Sequence, residues 1–291
     1  QLGHGGYDAD GSHFGKITVT AGSFASGPEA GKGIVFRSGN WEDAYTQLGH
    51  GGTNSRTFGD ITAGGPEGLT GEITVQARGD ILFVAGTLHK DEGEITNNDG
   101  RLYTQLGHGG YDADNTQAGS VTIGLGNGHY GDISVVSTHG SISFLAGDAG
   151  RAVEASVGTA GGRFNYAQLG HGGYATNGDH HGNITVRAGI EADGTVNNAN
   201  ADVWFNGGGT PEDDFGGINF AFLGHGGRSS QGNLGLATET ISVMAGRDIL
   251  FLAGNGNEGF AQLGNGGRSS LGDKAGNIQL FAERDITFAA S

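Results

Sequence analysis

A histidine set between glycines recurs along this chain, and histidine is the side chain best suited to ligate metals or to move protons near neutral pH. It belongs to a hexapeptide, QLGHGG, which begins at Gln1, Gln47, Gln105 and Gln168 and recurs as FLGHGG at Phe222 and QLGNGG at Gln262. Copies that return at intervals of about 40 to 63 residues indicate a repeated unit of structure. We expect the repeated residues to form one column: His4, His50, His108, His171, His225 and Asn265.

Two interpretations of this column are open. In an unbroken strand, Leu48 and His50 would share the inward face, and stacked rungs would place successive rings about 4.8 Å apart. Such a column could bind metal ions or relay protons, or it could be a buried polar ladder bonded to its neighbours or to the backbone. Asn265 favours the ladder, because asparagine is a poor ligand for zinc or copper and stacks readily between strands. We therefore predict no metal or other cofactor there. The hexapeptide is expected to form a corner of the coil, with glycines that permit a sharp turn at positive φ.

Paired carboxylates raise the question of calcium. The segments GGYDADG at 5–11 and GGYDADN at 109–115 place Asp8 beside Asp10 and Asp112 beside Asp114. Neither segment has glycine at the sixth and glutamate at the twelfth position, as an EF-hand loop does. Turns rich in aspartate explain both pairs without an ion. The net charge of −16 keeps calcium binding as an open alternative.

Short alternating segments follow each hexapeptide and must position these side chains. We name the hexapeptide strand A, the Ile-polar-Val segments strand B and the Ile-x-Phe segments strand C; such alternation between Gly, Asp and Asn predicts strands. Strand B is predicted at 16–21, 71–77, 131–137, 182–188, 240–245 and 277–282, and strand C at 33–38, 80–85, 141–146, 202–207, 248–253 and 285–290. The predicted core includes Leu48, Leu106, Leu169, Phe83, Phe144 and Phe251.

A stack of such units buries a continuous apolar column that one unit could not cover. The sequence has no helical periodicity, and a β-propeller blade would need four strands where we count three. We therefore predict an all-β fold, a right-handed parallel β-helix (β-solenoid) of about six rungs of three strands, with loop insertions outside. A single domain would span 1–291, with repeats starting near 1, 47, 105, 168, 222 and 262, either as a mature product or as a segment of a longer repeat protein.

Composition excludes several classes of function. The chain has 62 Gly among 291 residues, no Cys and only 16% charged residues. Its acidity disfavours binding to nucleic acid or to an anionic membrane surface, no apolar run could span a bilayer, and no thiolate site or disulfide is possible. The outward positions of strand B carry hydroxyl and amide groups rather than clustered carboxylates, so we predict no enzymatic activity.

Three segments carry a resemblance to a known family: GEITVQARGDILFVAG at 71–86, GDISVVSTHGSISFLAG at 131–147 and ETISVMAGRDILFLAG at 239–254. They resemble the repeats of filamentous-haemagglutinin-type exoproteins, which are large bacterial surface or secreted adhesins with right-handed parallel β-helix shafts. The resemblance implies an extracellular or cell-surface location and a structural role as a shaft, adhesin or filament. Surface glycans or a host or neighbouring cell surface would then be partners. The alternative function is a carbohydrate-binding or carbohydrate-active β-helix protein.

Two surfaces could support self-assembly. The outward positions of strand C carry apolar residues that form a predicted assembly stripe: Val35, Leu82, Val84, Leu145, Trp204, Leu250 and Leu252. Either the inserted loops at 87–102 and 147–165 cover this stripe, or a partner packs on it. The two end rungs are expected to lack caps and to expose unpaired backbone groups, which are a template for further strands. We expect the main partner to be another copy of the chain, joined end to end by strand stacking.

Overall fold

The computed structural model describes residues 1–9, 11–22, 33–39, 43–55, 69–86, 102–113, 128–147, 165–208, 219–254 and 259–290. In these ranges the protein is all-β, and every ladder between strands is parallel. Equivalent strands of successive repeats lie side by side, so the chain forms a parallel β-helix. We call each turn of the coil a rung and number the rungs 1 to 6 by the copies of the hexapeptide. No helix in the described part of the chain is long and apolar enough to cross a membrane.

Sheets B and C follow the alternation of the sequence. Sheet B contains Ile17–Ala21, Ile73–Ala77, Ile133–Ser137, Ile184–Ala188, Thr240–Ala245 and Asn277–Ala282. Sheet C contains Ile34–Arg37, Ile81–Val84, Ile142–Leu145, Val203–Asn206, Ile249–Leu252 and Ile286–Ala289. The pairing has no slip between rungs, so Ile133 pairs with both Ile73 and Ile184. A slip of one residue would turn each apolar set outward, which explains why the alternation fixes the register.

Sheet A differs from the prediction, because its strands end where the glycines begin. They are Tyr45–Leu48, Tyr103–Leu106, Tyr166–Leu169, Phe220–Leu223 and Phe260–Leu263. In rung 1, Leu2 extends the sheet through a bridge to Leu48. The hexapeptide is therefore the end of a strand followed by a corner, and the assumption of an unbroken strand through His50 is wrong.

The count of three strands per rung is also too low. A fourth sheet, D, contains the two-residue strands His13–Phe14, Leu69–Thr70, His129–Tyr130 and His180–His181. Bridges from His180 to Leu234 and from Leu234 to Lys274 continue this line into rungs 5 and 6. The segments Gly109–Tyr111 and Gly172–Tyr174 pair as well. Each rung thus passes from the corner through sheet D to sheets B and C, and then to strand A of the next rung.

The core is the column of inward side chains between sheets A, B and C. Leu48, Leu106, Leu169, Phe83 and Phe144 are fully buried, and Phe251 is 1% exposed, as predicted. The phenylalanines of strand C stack with ring centres 4.8–4.9 Å apart and nearly parallel planes. That spacing is the distance between strands, so the rings follow the backbone ladder.

Candidate functional site

The repeated histidines lie at the corner that follows sheet A. Gly49, Gly51 and Gly52 have φ values of 153°, 100° and 141°, which favour glycine. A Cβ atom on Gly49 would also collide with the carbonyl oxygen of Gly107 in the next rung. The glycines therefore let the chain turn sharply and let the rungs approach closely, and the turn directs His50 inward.

Four imidazoles of this column, those of His50, His108, His171 and His225, each bond to two backbone groups of the preceding rung. The Nδ1 atom of His108 accepts the backbone N–H of His50 at 3.0 Å, and its Nε2 atom is 2.8 Å from the carbonyl oxygen of Gly71. The same pair of contacts recurs at His50, His171 and His225, with distances of 2.7–3.2 Å. Because Nδ1 accepts a hydrogen bond and Nε2 faces a carbonyl, each ring is the neutral tautomer with its proton on Nε2.

Asn265 reproduces the first of these contacts with an amide. Its Oδ1 atom accepts the backbone N–H of His225 at 2.8 Å, and its Nδ2 atom donates to the carbonyl oxygen of Ala275 at 2.6 Å. The amide oxygen thus replaces Nδ1 in the bond between rungs, whereas the amide nitrogen bonds within rung 6. This equivalence explains why asparagine occurs at this position in rung 6.

Burial keeps the four inner rings of the column neutral. The rings of His50, His108, His171 and His225 are at most 1% exposed and stack at 4.7–5.0 Å. Burial lowers the pKa of His108 to about 3 and that of His225 to about 4, and it also lowers the pKa of His50 and of His171. Neighbouring histidines lower the pKa of His108 further, while its bond to Gly71 opposes the shift.

This arrangement leaves no ring nitrogen of His50, His108, His171 or His225 free for chemistry. A metal would need the Nδ1 lone pair, which the backbone N–H occupies, or the Nε2 position, which carries the proton. A proton relay would need rings bonded to one another, whereas each ring bonds to the backbone. Across the described ranges, no three His, Asp or Glu side chains are grouped to hold a metal ion. The column from His4 to Asn265 is therefore a connection between rungs.

A second polar column was not predicted, although its signal was present as the first letter of the hexapeptide. The Nε2 atoms of Gln1, Gln47, Gln105 and Gln168 each donate to the carbonyl oxygen of the last-but-one glycine of the corner in the next rung, at 2.7–3.0 Å. Gln47, Gln105 and Gln168 are fully buried. These side chains bind the corner on the side opposite the imidazoles, so both sides of the corner are held.

Gln and the aromatic residue two positions earlier share the outer face of sheet A, and this face is unexpectedly covered. Tyr103 and Tyr166 are fully buried and stack at 4.7 Å. Tyr111 and Tyr174, from the segments that follow the corner, belong to the same cluster. The aromatic residue that recurs two positions before Gln could have indicated a buried outer face. The segment that packs over it follows a path that the alternation of the sequence does not predict.

Of the four aspartates considered for calcium binding, Asp10 and Asp114 lie outside the described residues. The backbone conformation explains the presence of Asp8 and Asp112 without an ion. Asp8 and Asp112 both have a φ of 52°. They occupy a left-handed turn position that recurs in all six rungs, with φ between 52° and 59°, at Asp8, Asn54, Asp112, Ala175, Ser229 and Ser269. Asp and Asn tolerate this conformation well, and Ala175 shows that the turn forms without a carboxylate.

The predicted assembly stripe on strand C is not one continuous surface. Val84 and Leu145 are buried, at 9% and 8% exposure, and pack with Leu82 and Trp204. Leu250 and Leu252 are half-buried, and Val35 is 61% exposed. The insertions that were expected to cover the stripe, apart from their end residues, lie outside the described residues. Val84 and Leu145 are not available to a partner in this structure.

Aspartates that begin strand C also connect rungs. Asp202 Oδ1 accepts the backbone N–H of Asp248 at 3.2 Å, and Asp248 Oδ1 accepts that of Asp285 at the same distance. Arg247 and Arg284 each bind the aspartate of the preceding rung with two guanidinium nitrogens. In rung 6, Asp285 contacts Arg284 at 3.3 Å, with no further N–H bound to it in the described part of the chain.

The sixth rung exposes residues that are buried in the rung beside it. Ile278, Ile286 and Phe288 are 49%, 45% and 54% exposed. Their equivalents in rung 5 are Ile241, Ile249 and Phe251, which are 4%, 0% and 1% exposed. We call this surface the open face of rung 6. In contrast, Ile17 and Ile34 of rung 1 are both 7% exposed. The expectation of an uncovered end therefore holds for the apolar side chains of rung 6 but not for these two residues of rung 1.

Comparisons with protein-family models, with curated proteins and with solved structures give no match to this chain.

Proposed function

We propose that this chain is a structural segment of an extracellular bacterial shaft, adhesin or filament that grows by the stacking of a further rung on the open face of rung 6. The observation that carries the proposal is the exposure of Ile278, Ile286 and Phe288, whose equivalents are buried in rung 5. Burial of side chains of this size contributes roughly 1.5–3 kcal/mol each. A stacked rung would also pair the free edges of three sheets.

The resemblance of strands B and C to filamentous-haemagglutinin-type repeats supports the bacterial cell surface as the location and adhesion as the wider role. The polar side chains support a structural role. The recurring His, Gln and Asp residues bond to the backbone of neighbouring rungs. Residues committed to such bonds serve the stack, and the proposal therefore includes no catalysis.

The experiment compares the wild-type chain with a Phe288→Lys variant by sedimentation velocity and electron microscopy. Phe288 is 54% exposed, so a lysine there is tolerated by a single chain, but in a stacked rung its charge would be buried. We expect wild-type fibres or long oligomers and a monomeric variant. Thr287→Lys, which places the same charge on the outer side of the same strand, should assemble like the wild type. A wild-type chain that stays monomeric at high concentration would contradict the proposal.

A further inference from the structure

The two ends of the coil carry complementary polar groups at the corner. At the sixth rung, the backbone N–H of Asn265 has no acceptor in the described part of the chain, whereas the equivalent N–H groups of rungs 1 to 5 each bond to the ring or amide of the next rung. At the first rung, His4 is exposed and stacks on His50 at 5.1 Å. Neither nitrogen of the His4 ring has a hydrogen-bond partner among the described residues. One end offers a donor, and the other offers the matching acceptor.

The glutamine column shows the same complementarity. Gln168 donates to the carbonyl oxygen of Gly226 in the next rung at 3.0 Å. No further rung follows Gln262 among the described residues, and its Nε2 atom lies 3.5 Å from the carbonyl oxygen of Gly264 in its own corner. The group that corresponds to the Gly226 carbonyl in rung 1 is the carbonyl of Gly5. The imidazole column and the glutamine column therefore point to the same pairing of ends.

We propose that the open face of rung 6 binds the first rung of a second copy of this chain, head to tail. This inference rests on the assembly proposed above and adds its partner and its polarity. Asn265 N–H donates to Nδ1 of His4 in the second copy, and Gln262 Nε2 donates to the carbonyl oxygen of Gly5. Both contacts repeat those between neighbouring rungs within one chain.

A face-to-face pairing of two sixth rungs would not satisfy these groups. The Asn265 N–H group and the Gln262 Nε2 group are both donors, and a second sixth rung lacks the acceptors that the first rung offers them, Nδ1 of His4 and the carbonyl oxygen of Gly5. A buried donor without an acceptor costs about 1–3 kcal/mol. Because the head-to-tail contact joins two different surfaces, it leaves one free end of each kind and continues into a fibre instead of closing as a dimer.

The first rung sets one condition on this contact. Ile17 and Ile34 are already 7% exposed, so the exposed part of that end is the corner around Leu2 and His4, of which Leu2 is 39% exposed. The corner is therefore the first point of contact. Stacking of strands B and C on this end requires Ile17 and Ile34 to become accessible, which makes growth slower than the fit of the corner alone would suggest.

The test mixes two chains that are each blocked at one end. Phe288→Lys blocks the sixth rung, and His4→Lys replaces the acceptor by a cation facing the Asn265 donor. Both positions are exposed, and circular dichroism checks that each variant keeps its fold. In 0.15 M salt, we expect each variant alone to be monomeric and their mixture to form a 1:1 complex.

A second pair of variants isolates the acceptor. The reference is the dissociation constant measured when the Phe288→Lys chain, whose first rung is wild type, is titrated onto the His4→Lys chain, whose sixth rung is wild type. A double variant that carries both Phe288→Lys and His4→Leu should bind the His4→Lys chain at least tenfold more weakly than the reference, because its first rung has lost the acceptor. In the double variant with Phe288→Lys and His4→Asn, the amide oxygen takes the place of Nδ1 as in Asn265. Its dissociation constant should stay within about threefold of the reference.

Three results would overturn the inference. If His4→Lys self-associates as the wild type does, the sixth rungs meet face to face, and the proposed polarity is wrong while the open face remains a binding surface. Equal binding by the His4→Leu and His4→Asn chains would show that the corner does not set the contact. A monomeric wild-type chain would overturn both this inference and the proposed function.

Discussion

Loss of stability in mild acid is the most direct consequence of the buried histidine column, and His108 is the residue on which to measure it. In the folded protein the pKa of His108 is about 3 because of burial, whereas an unfolded histidine titrates near 6.5. Between these two values the unfolded chain binds a proton that the folded chain does not. Stability is therefore fully present above pH 6.5 and falls as the pH decreases from 6.5 toward 3.

The size of the effect follows from about 1.4 kcal/mol per pH unit. Between pH 7.5 and pH 5.0, His108 alone should remove about 2 kcal/mol of unfolding free energy. His225, with a pKa of about 4, should remove about the same amount, and His171 and His180, whose pKa values burial also lowers, act in the same direction. The sum is a large part of the 5–15 kcal/mol typical of a folded domain.

The assay compares the wild type with His108→Asn by urea unfolding at both pH values. Asparagine can accept the N–H of the preceding rung in place of Nδ1, as Asn265 does, but it does not titrate. At pH 7.5 the variant should therefore unfold at a urea concentration similar to that of the wild type. Between pH 7.5 and pH 5.0 its unfolding free energy should fall by about 2 kcal/mol less than that of the wild type. His139→Asn, at an exposed position, is the control and should retain the wild-type pH dependence. Equal losses in His108→Asn and the wild type would refute the assignment of His108 as a buried neutral ring.

The remaining predictions concern packing and turns. Gly170→Ala should prevent folding or lower the melting temperature far more than Gly11→Ala, because both have positive φ (141° and 113°) but only Gly170 faces a carbonyl of the next rung; equal melting temperatures would contradict this. Phe144→Ala should cost about 3–5 kcal/mol in chemical denaturation, since the ring lies between two others in the buried column. Ala175→Asn should raise the unfolding free energy by a few tenths to about 1 kcal/mol, because it relieves an alanine held at a φ of 54°. Treatment with a chelator should leave the melting temperature unchanged, and loss of bound zinc, copper or nickel together with stability would reverse the interpretation of the histidine column.

Sheets B and C could be predicted from sequence because their signal is local. Alternation at Ile73, Val75 and Ile81 decides which side chains face inward, and in a stack the inward set also fixes the register. The corner at His50 could be predicted because glycine permits conformations that other residues avoid.

Other features depend on contacts between distant segments. Strands of two residues, such as His129–Tyr130, are too short to show a period. The burial of Tyr103 depends on the segment near Tyr111, which lies on the outer face of sheet A. The hydrogen bonds of His108 depend on Gly71, 37 residues earlier in the chain. The type of each residue was informative, but its partner came from the stacking of rungs.

The order of the rungs also determines how the molecule responds to tension. Hydrogen bonds between rungs lie along the axis of the coil, so a pull along that axis loads the contacts of one terminal rung before those of the next. Each of rungs 1 to 5 that detaches releases its whole repeat of about 40 to 63 residues. At about 3.5 Å per extended residue, this slack is about 140–220 Å, many times the spacing that the rung occupied. The protein would therefore lengthen in discrete steps of unequal size under load, while the rungs that remain stacked keep their shape.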